Sequence, residues 1–372
     1  MPARNESEPV VKTSSSLFGA AAGPTTARSF LITVAAFVVL VAGMQAAASL
    51  VVPFLLAAFV ATICAPPLLW LQRKKVPAPL ALLIVIAAIA LIGLIVAAVI
   101  GGSLNSFSES LPLYQIRIET QTAAVQTWLQ EHGLPVPEDV LASYFDVGGL
   151  MSVMASMVAG LGGMLANGFL IFLTIIFILL EASSFPAKIK KAFGEDNQSL
   201  DYLKTVMSNV RRYMAIKTVI SFLTGILVAA WLAILGVDFA LLWGLIAFLF
   251  NYVPNIGSII AAVPAIFLAL VQLGVGASVL TGIGYLVINI VIGNFVEPRF
   301  MGRGVGLSTL VVFLSLVFWG WVLGPVGMFL SVPLTMTVKI ALESSEHTQW
   351  ASVLLGSEAI AELEETAQVE EA

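Results

Sequence analysis

The apolar positions of this chain fall into long runs rather than alternating patterns. Ser29–Leu50, Pro53–Leu71 and Ala78–Gly101 each supply close to the ~20 apolar residues that a helix needs to cross a hydrocarbon core. A fourth span is contained in Leu150–Leu180, Thr218–Leu235 is a fifth, and Gly276–Val296 a sixth. Two more stretches, Phe239–Gln272 and Leu307–Ile340, are as apolar but are broken near the middle. The first break is Asn251-Tyr252-Val253-Pro254-Asn255-Ile256-Gly257; the second is Leu323-Gly324-Pro325-Val326-Gly327. At about 1.5 Å per residue each half makes a helix of roughly 20–27 Å, against a core of about 30 Å. The pattern predicts an all-α polytopic membrane protein of about six full spans plus two Gly/Pro-broken hairpins, re-entrant or short-span. Backbone at a hairpin tip has to face protein or water, not lipid.

Composition agrees with this and removes other classes. Of 372 residues 59% are hydrophobic and 10% charged, where soluble domains carry about 25% charge. Mean hydropathy is +1.01. Cys64 stands alone, so no disulfide framework forms within the chain. His132 and His347 are too few for a histidine metal cluster, and no metal site is expected. No His-Glu-x-x-His, Gly-x-Ser-x-Gly or Walker loop is present, so neither a catalytic residue nor a cofactor is assigned, and the chain is not expected to be an enzyme. Gly302–Gly306 is glycine-rich but joins membrane segments and reads as a connection. Ala46-Ala47-Ala48 resembles a signal-peptidase site, but apolar sequence resumes at Leu50, which argues against cleavage.

Lys and Arg set the orientation. With a cytoplasmic N-terminus, Arg73, Lys74 and Lys75 fall inside, as do Lys188, Lys190, Lys191, Lys204, Arg211, Arg212 and Lys217. If each broken stretch returns to its starting face, Arg299, Arg303 and Lys339 are inside too, and Arg117 alone is outside. The expected organisation is therefore a disordered cytoplasmic tail (1–28), three transmembrane helices (29–101) and an extracytoplasmic amphipathic segment (102–149). A fourth span (150–181), a basic cytoplasmic segment (182–217), a transport core holding both hairpins (218–341) and an acidic cytoplasmic tail (342–372) complete it. In the outer segment Leu113, Ile116, Val125, Trp128 and Leu129 are helically spaced, predicting an element that lies on the membrane face or on the protein. Inside, Leu200, Leu203, Met207, Val210 and Met214 form a comparable stripe. Small residues at Ser152, Ser156, Gly160 and at Ala155, Ala159, Gly163 mark a helix-packing surface, within or between subunits.

Candidate chemistry is sparse. Glu297-Pro298-Arg299 places an acid and a base at the end of a span, where ionisable groups are costly unless paired or wet. Glu297 reads either as a structural partner of Arg299 or another base, or as a titrating or ligand-binding group. Asn294, three residues earlier, is expected on the face of Glu297, and Asn289 roughly so. Glu181 and Asp238, at span ends, read as solvated caps. Paired interrupted segments point to a transporter's binding site, so the transport-path candidates are Asn251, Pro254, Asn255, Gly257, Asn289, Asn294, Glu297, Arg299, Gly324, Pro325 and Gly327. Pro254 withholds a donor and Gly257 admits left-handed backbone, which together predict a non-helical tip. The two breaks also read alike, each followed by Val-Pro (Val263-Pro264, Val332-Pro333), as inverted repeats would.

Val296-Glu297-Pro298-Arg299-Phe300-Met301-Gly302, Phe318-Trp319-Gly320-Trp321, Leu323-Gly324-Pro325-Val326-Gly327-Met328 and the Asn251–Gly257 break together closely resemble the bacterial autoinducer-2 exporter family, also described as PerM-like permeases. The motifs are dense over Phe239–Ile340; the first third matches by pattern. The resemblance implies a multi-pass protein of the bacterial cytoplasmic (inner) membrane, with both termini cytoplasmic as the charge distribution predicts, working as a secondary transporter and homo-oligomer without an ATPase subunit. It implies export of a small polar organic molecule such as autoinducer-2, with sodium–proton exchange as the alternative. The expected partners are a small-molecule or ion substrate and the lipid bilayer, with no nucleic acid. A non-transporting scaffold is the third class, set aside because of the two broken stretches.

Overall fold

The computed structural model describes residues 24–132, 155–156, 160, 167–182, 188, 191, 198–254, 256–301, 307–343 and 348–356, and every described element is helical. Residues 1–23 of the expected disordered tail, the remainder of the outer segment and most of the small-residue stripe lie outside the described residues, as do Asn255 and Gly302–Gly306, while residues 24–28 of that tail are helical. The protein is an all-α polytopic membrane protein. Among the described residues, five helices are long and apolar enough to cross a membrane, within Ala48–Arg73, Ala78–Ser110, Val210–Leu235, Val275–Phe300 and Pro325–Glu343.

Helix α1, Pro24–Ala46, forms a unit of its own, and its residues Leu31, Val39 and Leu40 are exposed apolar side chains. The remaining elements belong to the second unit. Helix α2, Ala48–Arg73, closes where Lys75 takes a left-handed backbone, with Val76 N–H bonded to Leu71 O and Lys75 N–H to Gln72 O. That crossed pair of bonds satisfies the last carbonyls of the helix, and Arg73, Lys74 and Lys75 cluster at this end. Helix α4, Gly168–Ala182, packs on α2 and on the third helix around Ala57, Ala61, Ala81, Ile175 and Leu179.

Helix α3, Ala78–Glu131, runs 54 residues without a break, so the division expected at 101/102 falls inside a helix. Its extension lies on the protein; of the expected stripe, Leu113 and Ile116 are exposed, and the side chains of Val125, Trp128 and Leu129 lie outside the described residues. The buried face is Phe107 and Tyr114, followed by Arg117 and Gln121, a more polar set that apolar periodicity overlooks. Helix α5, Gln198–Leu235, similarly joins the basic segment to its span. Val210 and Met214 of the inner stripe pack into the bundle.

Both broken stretches fold as helix–turn–helix units. The first is α6 (Ala240–Phe250) and α7 (Gly257–Leu273). Its two ends meet: Asp238 N–H donates to Gln272 Oε1 at 2.9 Å, and Gln272 Nε2 donates to Gly236 O at 3.1 Å. The stretch therefore returns to the level where it started. With 11 residues, α6 is about 17 Å long and cannot span the core. After α8, Val275–Val291, come a π-turn at Ile292–Val296 and the short α9, Glu297–Met301. The second unit is α10 (Thr309–Leu323), begun by Ser308 whose Oγ accepts from Val311 N–H, and α11 (Pro325–Glu343). By length and composition α11 can cross a membrane, so this hairpin has one short arm and one full-length arm. The final helix α12, Gln349–Leu355, is tied to the start of α10 by Ser308 N–H to Leu355 O.

Candidate functional site

The tips of the two hairpins converge. Tyr252, at the tip of α6, stacks obliquely on Phe329 of α11 with ring centroids 4.5 Å apart, and Phe59 of α2 meets both rings edge-on. Val326 and Leu330 complete this apolar contact. One side of the tip is polar. Tyr252 OH donates to Thr218 Oγ1 at 2.7 Å, and the buried Asn251 Nδ2 donates to Ser221 Oγ at 2.9 Å. Both partners lie on α5, three residues apart and so on one face.

Lys217, the residue before Thr218, carries the charge of this region. Its Nζ lies 2.6 Å from Glu297 Oε1; the side chains are 6% and 22% exposed. Lys217 lies on α5 and Glu297 begins α9, both within span-length apolar segments. The partner of Glu297 is thus a base on another helix, and the neighbouring Arg299 is exposed. The reason is local. Through Ile292–Val296 the backbone widens, and Glu297 N–H bonds to Ile292 O, five residues back. The inserted residue rotates the chain beyond it, so Glu297 faces α5 while Asn294 is exposed. The shared face expected of Asn294 and Glu297 assumes α-helical register and does not survive the π-turn, a feature frequent at functional sites. Asn289, further back, is half-buried.

The glycines of the two tips act by close approach. Gly257 is the first residue of α7, with helical rather than left-handed backbone; a Cβ there would collide with Phe250 O. Gly327 stands likewise against Trp319 O. The left-handed position is Gly324 instead, at φ +70° with open space around it, and Pro325 opens α11 where no backbone donor is needed. Pro254 is half-buried in the first tip, and Asn255 is outside the described residues.

At the far end, α3 clamps the base of the first hairpin. Tyr114 OH donates to Asp238 Oδ2 at 2.8 Å. Burial and that carboxylate hold the phenol well above the ordinary tyrosine range, so it stays a donor. Arg117 Nη1 donates to Gln272 O, and Gln121 Nε2 to Leu270 O and Val271 O, all carbonyls of the last turn of α7. Asp238 is thus a hydrogen-bonded anchor rather than only a solvated cap, whereas Glu181 makes an exposed pair with Lys188. Sequence reasoning treated Lys217 only as a topology marker and did not single out Thr218, Ser221 or Tyr114. The usable signal was that Lys217 opens the fifth span much as Glu297 closes the sixth, a lone base and a lone acid at the same membrane edge. Among the described residues no group of three metal-ligating side chains occurs.

The family model "AI-2E family transporter" matches residues 30–347. The chain is 43% identical to AI-2 transport protein TqsA of Escherichia coli (strain K12) over 318 residues, 86% of this chain and 92% of that protein. It is 39% identical to a Haemophilus influenzae protein named "Putative transport protein", over 88% of this chain and 95% of the other. A third relative, "Putative transport protein YhhT" of Escherichia coli (strain K12), is 37% identical over 89% and 95%.

Proposed function

This chain belongs to the AI-2E transporter family, and from that premise we propose that it is a secondary transporter exporting a small polar organic solute of the autoinducer-2 type. The proposed route passes the two hairpin tips and the Lys217–Glu297 pair. The observation that carries this reading is the meeting of both interrupted segments at Tyr252 and Phe329, beside a buried ion pair on a π-turn. Broken helices place unspent backbone groups and mixed side chains together at a protected depth, where a solute can exchange water for protein contacts. The TqsA relative, named for AI-2 transport, supports the substrate class. These relatives give the sodium–proton alternative no support. Cytoplasmic termini and assembly as a homo-oligomer are part of the proposal.

Purified protein reconstituted in liposomes loaded with labelled autoinducer-2 tests it. We expect saturable, protein-dependent efflux. Efflux no faster than from protein-free liposomes, under every imposed sodium or proton gradient, would reject the autoinducer-2 assignment.

A further inference from the structure

Helices α5, α6, α7 and α8 pack as a closed ring, each against two others. The contacts fix a common level. Gly244 of α6 lies against Gly225 and Ala229 of α5. Trp231 Nε1 of α5 donates to Leu280 O of α8 at 3.1 Å, and Ser278 Oγ of α8 donates to Ile266 O of α7 at 3.1 Å. At this level Trp243 of α6 is 0% exposed and, among the described residues, its Nε1 has no hydrogen-bond partner. Thr281 of α8 is also 0% exposed, with its Oγ1 unpartnered, and one turn on Tyr285 is 6% exposed with its OH unpartnered. Trp243 and Tyr285 belong to one buried cluster with Ala261, Ala265 and Ala269, three methyl side chains along one face of α7.

An interior this buried is normally built from apolar atoms, because a polar group without a partner there is destabilising. Val in place of Thr281 and Phe in place of Tyr285 would fill nearly the same volume without that penalty. Three orphaned groups enclosed on two helices of one ring, two of them in the same buried cluster as a strip of small side chains, instead supply a set of hydrogen-bonding points. We propose that the α5–α8 ring holds a binding site for a small neutral hydroxylated solute, recognised by Trp243 N–H as donor and by the hydroxyls of Thr281 and Tyr285 as donors or acceptors. The Lys217–Glu297 pair and Asp238 sit towards opposite ends of the ring, and none of the three recognition groups is charged, so a neutral solute fits better than an ion. The assignment rests on the reading of the chain as a carrier of small polar solutes and gives that route an inner, uncharged station.

The test uses full-length protein labelled with 5-fluorotryptophan in lipid nanodiscs, with glycerol as the probe. Trp243→Phe identifies the Trp243 fluorine line among the seven tryptophans. Glycerol should shift that line saturably, and Tyr285→Phe and Thr281→Val should each weaken the apparent affinity about three- to tenfold, the loss of one hydrogen bond. The two variants should also melt no lower than the parent, since each removes an unsatisfied group. The other tryptophan lines report whether each variant is folded. A Trp243 line that stays still, that drifts linearly and equally in all proteins, or that responds only to exchange of H2O for D2O (bound water only) overturns the site. Because the readout is binding rather than flux, failure of the autoinducer-2 efflux experiment leaves this result standing, and the reverse holds too.

Discussion

Lys217 and Glu297 together decide what one substitution does here. An ammonium that is 6% exposed inside a span is tolerable because a carboxylate lies 2.6 Å away. Glu297→Gln keeps the shape and leaves Lys217 unpaired, a loss on the order of 3 kcal/mol for a buried charge, reduced to the extent that water reaches the pair. Folded yield in detergent should therefore fall, and Lys217→Met added to Glu297→Gln should restore most of it. Efflux separates structure from function: we expect the restored double variant to fold but to transport at less than about a tenth of the parental rate, the cost expected when a buried polar contact is lost at a site. Parental efflux from the double variant would make the pair a structural device and leave the hairpin tips as the route. Arg299, being exposed, should tolerate Arg299→Gln in both assays.

The hairpins depend on glycine for two different physical reasons. At Gly257 and Gly327 the constraint is space, since a Cβ would overlap a backbone carbonyl that cannot swing aside. At Gly324 it is the backbone, held at φ +70°. Gly282 makes a useful control, because a Cβ there meets only Ile266 Cδ1 at 3.5 Å, ordinary contact. Gly257→Ala should cost about 1–3 kcal/mol through overpacking, and Gly282→Ala should be neutral or slightly stabilising through helix propensity. Thermal unfolding of both, alongside efflux, checks this. A Gly257→Ala protein as stable as Gly282→Ala would mean that the tip relaxes freely, which a closely packed junction does not allow. The base of the same hairpin is fixed by Arg117, Gln121 and Tyr114, so the tip is the end with fewer backbone anchors from other helices.

Across the whole molecule, charge and geometry make one topological statement. The first hairpin begins and ends at the Asp238–Gln272 contact, so it adds no net crossing. Its base meets the α3 extension and its tip meets the Lys217 end of α5. With basic clusters at the end of α2 and at the start of the α5 span, the positive-inside rule predicts that the α3 extension lies outside. In a Cys64→Ser background, a cysteine at exposed Gln130 should react with an impermeant reagent added to intact spheroplasts, while one at exposed Ser208 should react only after lysis. The opposite labelling pattern would invert the topology and with it the direction of the proposed export.

What the linear chain determined by itself was class and position. About 30 Å of hydrocarbon demands about 20 apolar residues, and Gly-Pro clusters inside such runs leave backbone that lipid cannot satisfy. The helices and both breaks were therefore legible from one-dimensional spacing. Rotation about the helix axis was not. A single inserted residue at Ile292–Val296 turns Glu297 away from the face of Asn294 and towards a lysine 80 positions earlier, and periodicity carries no mark of a π-turn. The buried face of α3 was missed for a related reason: it is built from Tyr114, Arg117 and Gln121, whose partners are the Asp238 carboxylate and carbonyls ending another helix. Tertiary structure alone decided which polar groups meet and which, like Trp243, Thr281 and Tyr285, are enclosed without a partner, because those outcomes depend on what stands across the gap.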